Sequence, residues 1–207
     1  LTTENRIDAV IFDLGRVIVD IDLSRLLSTI LGENPSGDIE QIIIAGLSDK
    51  TMHMFNIGRI TADQFHRQLT AKFGFDVPYP RFVKLWCSIF SPMPHMDELI
   101  RSLSGRVRLG LLSDTDVLHW NYLRESYPVL GLFEKPTLSF EVGTVKPDPA
   151  IFLRAAKNVD TAPEKCLYID DLKRNVDGAI ALGFDGVVFQ SAEQLRTEFV
   201  RRDILQA

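Results

Sequence analysis

The 207-residue chain reads as an α/β protein, a parallel sheet covered by helices on both faces, with a purely helical segment inserted after the first strand. Three observations predict this. The apolar run Ala9-Val10-Ile11-Phe12 ends abruptly in Asp13; from His95 onward, short β-type runs alternate with helical patterns; and between Ile21 and about Ser91 apolar residues recur at helical spacing alone.

Taken in order, Ala9 to Phe12 is apolar at every position, as a strand buried on both faces must be. Leu23, Leu26, Leu27, Ile30 and Leu31, then Ile39, Ile42, Ile43 and Leu47, recur at spacings of three and four and predict helix. Thr61-Ala62-Asp63-Gln64 is a capping box, in which hydroxyl and amide satisfy each other's backbone N–H groups, and it opens a helix carrying Phe65, Leu69 and Phe73. A further helix is expected from Pro80 through Trp86 and Phe90, with Pro92 and Pro94 marking a return linker. No strand is expected between 21 and 91. Beyond it the pattern predicts helix at Met96 to Leu103, strand at Val107 to Leu112, helix at Val117 to Ser126 and a short strand at Thr137 to Ser139. Helix at Pro149 to Asn158, strand at Lys165 to Ile169, helix at Val176 to Leu182 and strand at Gly186 to Phe189 follow. Ser191-Ala192-Glu193-Gln194 is a second capping box and opens a final helix. The expected domains are a core of residues 1–20 and 92–207 and a helical insert of residues 21–91.

Composition agrees. With 45% apolar and 25% charged residues, the chain is long enough for a core domain plus one insert. Its 23 basic against 28 acidic residues, a net charge of −5, give no support to a nucleic-acid partner. No apolar stretch approaches the roughly 20 residues that span a bilayer, so no membrane segment is expected. The polar Leu1 to Arg6 runs straight into the first strand, leaving no room for a signal peptide, and Cys87 and Cys166 lack metal-ligand spacing. The expectation is a cytoplasmic protein with two reduced, buried thiols. No pattern encodes an oligomeric state.

In an open parallel sheet the active crevice lies outside the carboxyl ends of the strands. Asp13, Leu111-Leu112-Ser113-Asp114-Thr115, Val145-Lys146-Pro147-Asp148-Pro149 and Leu167-Tyr168-Ile169-Asp170-Asp171 each end or follow an apolar stretch. Asp13, Ser113, Lys146 and the Asp170-Asp171 pair are therefore expected in one pocket. Singly, each has an ordinary explanation, because Asp and Ser commonly turn a strand into a loop and Lys146-Pro147 reads equally as a surface turn. The adjacent carboxylates are harder to dismiss, since they repel each other unless a cation or donor compensates.

In this order the residues resemble the four motifs of the haloacid dehalogenase superfamily, nucleophilic Asp, Ser or Thr, Lys, then an acidic pair, over Val10 to about Phe189. The resemblance implies a Rossmann-like core with a helical cap and hydrolysis of a small phosphate monoester through an aspartyl phosphate on Asp13. A phosphate dianion repels an approaching carboxylate, so charge must be neutralised and the attacking oxygen held in line. The implied cofactor is Mg²⁺, a hard oxygen-seeking ion, on Asp13, Asp171 and the Gly15 carbonyl, with Asp170 direct or through water. Ser113 and Lys146 are the implied catalytic partners and, with Asp114, contacts to the substrate phosphate. Asn175 is implied as an organiser of the acidic loop, and Arg59, in the turn Asn56-Ile57-Gly58-Arg59-Ile60-Thr61, as a reader of the leaving group. Of the four histidines, His53, His66, His95 and His119, none shows metal spacing; His119-Trp120, just after the Ser113 loop, stands closest in sequence to the expected pocket.

One position departs from the pattern. Most phosphatases of the superfamily carry a second Asp two residues after the nucleophile, where this chain has Gly15. General acid–base help is worth about 10² to 10⁴ in rate. The string Phe12-Asp13-Leu14-Gly15-Arg16-Val17-Ile18-Val19-Asp20 is similar to that of bacterial α-D-glucose-1-phosphate phosphatases, which share the Asp-Leu-Gly form, and an anomeric oxygen leaves with less help than an ordinary alcohol. The expected substrate is therefore a sugar phosphate such as an aldose 1-phosphate. Two alternatives stand beside it: a haloacid dehalogenase-type hydrolase, whose halide needs neither proton nor metal, and a phosphosugar-binding protein with little turnover, motivated by Gly15 and Asp114.

Overall fold

A computed structural model describes residues 6–23, 50–73 and 77–206. Along the chain run β1 (Ala9–Phe12), β2 (Val19–Ile21), α1 (Lys50–Asn56), α2 (Ala62–Phe73), α3 (Tyr79–Trp86), β3 (Phe90–Pro92), α4 (Met96–Leu103), β4 (Arg108–Ser113) and α5 (Val117–Ser126). There follow β5 (Thr137–Leu138), α6 (Ser139–Val142), α7 (Pro149–Asn158), β6 (Cys166–Asp170), α8 (Lys173–Ile180), β7 (Asp185–Val188) and α9 (Ala192–Arg201). The main sheet has the order β5-β4-β1-β6-β7, and every pairing in it is parallel.

The apolar runs explain the layering. Side chains alternate along a strand, so Val10, Phe12, Leu167 and Ile169 enter one core while Ala9, Ile11, Cys166 and Tyr168 enter the other. β1 is buried on both faces and carries no polar side chain before it ends. β1 lies between β4 and β6, and the pairs Phe12 with Leu111 and Phe12 with Ile169 set the three carboxyl ends side by side. Cys87 and Cys166 are buried free thiols, both pushed up to about 12, chiefly by burial.

The inserted segment leaves and returns through a ribbon that the sequence reading lacks. β2 and β3 pair antiparallel, Val19 with Pro92 and Ile21 with Phe90. The helix expected to run through Phe90 ends at Trp86, and a single 3-10 turn over Cys87–Ile89 delivers Phe90 to the ribbon. The helical spacing of Leu26 to Leu47 lies outside the described residues. The Thr61 capping box forms, with Thr61 N–H on Gln64 Oε1 at 2.8 Å and Gln64 N–H on Thr61 Oγ1 at 3.2 Å. At the second box Gln194 N–H bonds Ser191 Oγ at 3.2 Å, but the Gln194 amide oxygen takes the N–H of Gln190 instead of Ser191.

Aromatic packing builds the described part of the insert. Phe55 stacks on Phe65 at 4.3 Å, and the edge of Phe65 meets Trp86 at 5.1 Å. Among the contacts that dock this unit on the core, two involve α6. Gly58 sits at φ +68, and a Cβ there would run into the Phe140 carbonyl, so the close approach requires glycine. Ser139 Oγ lies 2.7 Å from the Asn56 carbonyl oxygen and 2.9 Å from that of Thr115, and it accepts the Thr115 N–H at 2.9 Å. Among the described residues no helix is long and apolar enough to cross a membrane.

Candidate active site

The strand ends supply the site. Asp13 follows β1, its N–H bonded to the Ile169 carbonyl at 2.8 Å, so the chain is pinned to β6 where the carboxylate emerges. Ser113 closes β4 and Asp170 closes β6. Lys146 joins them from the loop before α7: its Nζ lies 2.7 Å from Asp13 Oδ1 and 2.8 Å from Asp170 Oδ2. The loop is fixed by Asp114, whose two carboxylate oxygens accept the Lys146 N–H at 3.0 and 3.2 Å.

Asp170 is fully buried and crowded with donors. Besides Lys146, it accepts Tyr168 Oη at 2.5 Å, Leu172 N–H at 2.8 Å and Asn175 Nδ2 at 3.0 Å to either oxygen. Burial alone would raise its pKa, but Lys146 and these donors hold it below the usual carboxylate range. Asp13 has fewer partners. Burial pushes it up to about 7; Lys146 pulls the other way, and the Asp170 charge adds to the rise. That an ion-paired carboxylate should be raised at all has a simple cause: one ammonium is shared between two carboxylates. Lys146 itself is opposed by burial, yet Asp13, Asp170 and Asp114 overrule this and keep it above its ordinary range. Burial and Asp170 raise Asp171, against the pull of Arg16.

Asp13, Asp170 and Asp171 each offer an oxygen within 4.8 Å of the others. Three carboxylates around one ammonium, with Asp13 left under-compensated, form a hard all-oxygen donor set that fits a small divalent cation.

Beside these groups lies a chamber of about 270 Å³ between core and insert. Leu14, Gly15, Ser113 and Asp114 line its core side, and Met52, Asn56 and Trp86 come from α1 and α3. Among the sequence-derived site residues, Asp13, Lys146, Asp170 and Asp171 form one cluster, while Gly15, Ser113 and Asp114 border the chamber next to it. Arg59 does not join them. It is exposed and absent from the chamber wall, because the turn that carries it docks through Gly58 on Phe140; Met52 and Asn56, one helix earlier, reach the chamber instead.

Sequence reasoning also missed three partners. Tyr168 lies two residues before Asp170 on one strand, so both point to the same face; that spacing was a readable signal. His119 lines the chamber, but its partner is Trp86, not Trp120: the two rings stack at 5.0 Å with 6° between planes. Asp116 ties them together, with Oδ2 2.9 Å from His119 Nδ1 and 3.0 Å from Trp86 Nε1, while Oδ1 caps α5 by accepting the N–H groups of Leu118 and His119.

Comparison with known proteins fits this geometry. The model of haloacid dehalogenase-like hydrolases matches residues 7–183. The chain is 27% identical over 194 residues to a D-ribitol-5-phosphate phosphatase of Bacteroides thetaiotaomicron, covering 85% of this chain and 88% of that one. It is 25% identical over 183 residues to a sesquiterpene phosphatase of Aspergillus oryzae, covering 86% and 88%. A haloacid dehalogenase-family enzyme of Bacteroides thetaiotaomicron solved with magnesium superposes with a TM-score of 0.80 at 25% identity, covering 93% of this chain and 98% of that one. With strand order, motif order and a family match running from the first strand past the acidic pair, the chain belongs to the haloacid dehalogenase-like hydrolases.

Proposed function

We propose that the protein is a Mg²⁺-dependent hydrolase of small phosphate monoesters that works through an aspartyl phosphate on Asp13. The observation that carries this reading is Lys146 held between Asp13 and Asp170, beside an oxygen triad that Asp171 completes. Relatives named as phosphatases support it, as does the fold neighbour solved with magnesium.

The residues divide the work. Asp13, Asp171 and the Gly15 carbonyl would hold the ion, which when bound supplies positive charge to the transferring phosphoryl group and to Asp13. Asp170 is assigned a positioning role, because its oxygens already take Lys146, Tyr168, Asn175 and Leu172 and have little left for a cation. A carboxylate oxygen of Asp13 attacks phosphorus as the bond to the leaving oxygen breaks, and water then cleaves the acyl phosphate. Ser113 and Lys146 hold the phosphoryl oxygens in line. An acidic triad has no use in the metal-free dehalogenase route, which favours the phosphatase reading over it.

Gly15 cannot protonate the leaving oxygen, so the substrate must leave without that help. An aldose 1-phosphate meets this condition, and the glucose 1-phosphate resemblance points there; it is one of several leaving groups that do. The relatives do not choose among them, since one is named for a polyol phosphate and another for a terpenoid.

The test is phosphate release with Mg²⁺ against the same protein in chelator, followed by mass spectrometry of the acid-quenched enzyme. Metal-dependent release with the phosphoryl adduct on Asp13 is expected. Release that ignores chelation, or an adduct on another residue, overturns the reading.

A further inference from the structure

Resting on the phosphatase reading, we propose that the chamber beside Asp13 receives a flat apolar leaving group, so that the substrate class is an aryl phosphate monoester and not a polyol or sugar phosphate.

The wall is the first ground. Ile21, Met52, Trp86, Ile89, Phe90 and Leu123 make up much of the described lining. Trp86 stacks on His119, and Phe90 meets the same imidazole edge-on at 4.8 Å, so one side is an aromatic slab. A sugar carries several hydroxyls, and each one stripped of water and left without a partner costs roughly tenfold to a hundredfold in affinity. Two of the polar groups that border the chamber are already engaged: Asp114 with the Lys146 N–H, and His119 with Asp116 through Nδ1 and with the Trp86 carbonyl oxygen through Nε2 at 2.9 Å. At about 270 Å³ the space lies just below the usual ~300–1,000 Å³ of ligand pockets, which suits a compact ring system.

The second ground is independent of the first. A leaving oxygen in this chamber finds no free acid among the described lining residues. Burial raises the Asp114 carboxyl, but both of its oxygens are committed to the Lys146 N–H; both His119 nitrogens are engaged, and the Arg16 guanidinium does not give up a proton. Residue 15 offers none either: it is glycine, and the mobile end of Ile21 lies 2.8 Å from where a Cβ would stand. The oxygen must depart as an anion, which a phenol, ionising near pH ~10, does far more readily than an aliphatic alcohol. A sugar 1-phosphate satisfies this ground but not the wall, and an alkyl phosphate satisfies the wall but not this ground. An aryl phosphate satisfies both.

The reaction balances without further reagents. The Asp13 oxygen bonds to phosphorus, the bond from phosphorus to the aryl oxygen breaks with its electron pair on that oxygen, and the phenolate takes a proton from solvent. Water then attacks phosphorus, the bond to Asp13 breaks, and phosphate leaves.

Four monoesters separate the two grounds: 1-naphthyl phosphate, octyl phosphate, glucose 1-phosphate and glycerol 3-phosphate, each assayed for kcat/KM with Mg²⁺. Naphthyl phosphate should exceed both octyl phosphate and glucose 1-phosphate by about 10²-fold or more. Met52→Gln should raise the naphthyl KM about tenfold. Gly15→Asp, whose side chain has only the mobile end of Ile21 to displace, should raise octyl turnover by about 10²-fold and naphthyl turnover far less. Glucose 1-phosphate or glycerol 3-phosphate matching naphthyl phosphate, or Gly15→Asp helping the two apolar esters equally, overturns the inference alone. Silence on all four esters with no adduct on Asp13 sinks the phosphatase reading and this inference with it.

Discussion

Asp13 and Asp116 are both buried carboxylates, at 7% and 0% exposure, yet their acidities move in opposite directions. Asp13 is pushed up to about 7, first by burial. Asp116 feels burial too, but His119 and the Trp86 and backbone donors overrule it and hold it below the usual carboxylate range. The difference lies in the donors. Asp116 has four, one of them an imidazole of its own, whereas Asp13 has the Leu14 N–H and one ammonium that it shares with Asp170. Burial sets what a charge costs, and the number of aimed donors decides whether the cost is met. The carboxylate that builds structure is the better served; the one assigned to chemistry is left with fewer donors.

The sharpest way to break this contrast is Asp13→Asn. Phosphate release should fall by on the order of 10⁴-fold or more, and the metal-free fold should lose the pH-dependent cost of the Asp13 charge. Thermal denaturation reads both halves: Mg²⁺ should raise the Tm of the wild type and much less that of the variant. If Mg²⁺ raises both Tm values equally, Asp13 does not hold the ion and the contrast fails.

Asp116→Asn probes the other side. Removing one member of a buried pair costs about 3 kcal/mol or more, so urea denaturation should show a loss of that size. The two carboxylates should also leave opposite marks on pH dependence. A native Asp13 that keeps its proton above the ordinary value of 3.8 makes stability fall as pH rises from about 4 to about 7, flattening beyond; Asp13→Asn should remove that slope. Asp116 is held below 3.8, so its contribution is fully present above that value and is lost as pH falls through the depressed one; Asp116→Asn should remove an acid-side slope. Denaturation series from pH 3 to 8 compare them directly, and slopes of the same sign would end the comparison.

The smallest effect is expected from Trp86→Phe, which keeps an aromatic ring over His119 but loses the Nε1 donor to Asp116. A loss of about 1 kcal/mol in chemical denaturation is expected. No loss would mean that the remaining three donors suffice for Asp116.

Much of the candidate site was legible because it sits at strand ends. Strands buried on both faces show as unbroken apolar runs, so Asp13, Ser113 and Asp170 stand out as the first polar residues after each run, and parallel topology brings those ends together. The ribbon was not legible. Val19-Asp20-Ile21 and Phe90-Ser91-Pro92 are three residues each, too short to display alternation, and each finds its partner only across the whole insert. Arg59 misled for a different reason: the Asn56 to Thr61 string identifies a turn correctly, but which way a turn faces depends on what its glycine packs against, here the Phe140 carbonyl. The tie from Trp86 to Asp116 spans 30 residues and joins insert to core, a contact that no local pattern encodes.

Ser139 has a consequence for motion. A hydroxyl owns one hydrogen, and here it is aimed at two oxygens, that of Asn56 in the insert and that of Thr115 in the core. If the inserted helices lift away, the hydrogen swivels to Thr115 and no donor is stranded at the seam. The hydroxyl that fastens the insert thus has a second acceptor inside the core, so its hydrogen keeps a partner whichever of the two oxygens it faces.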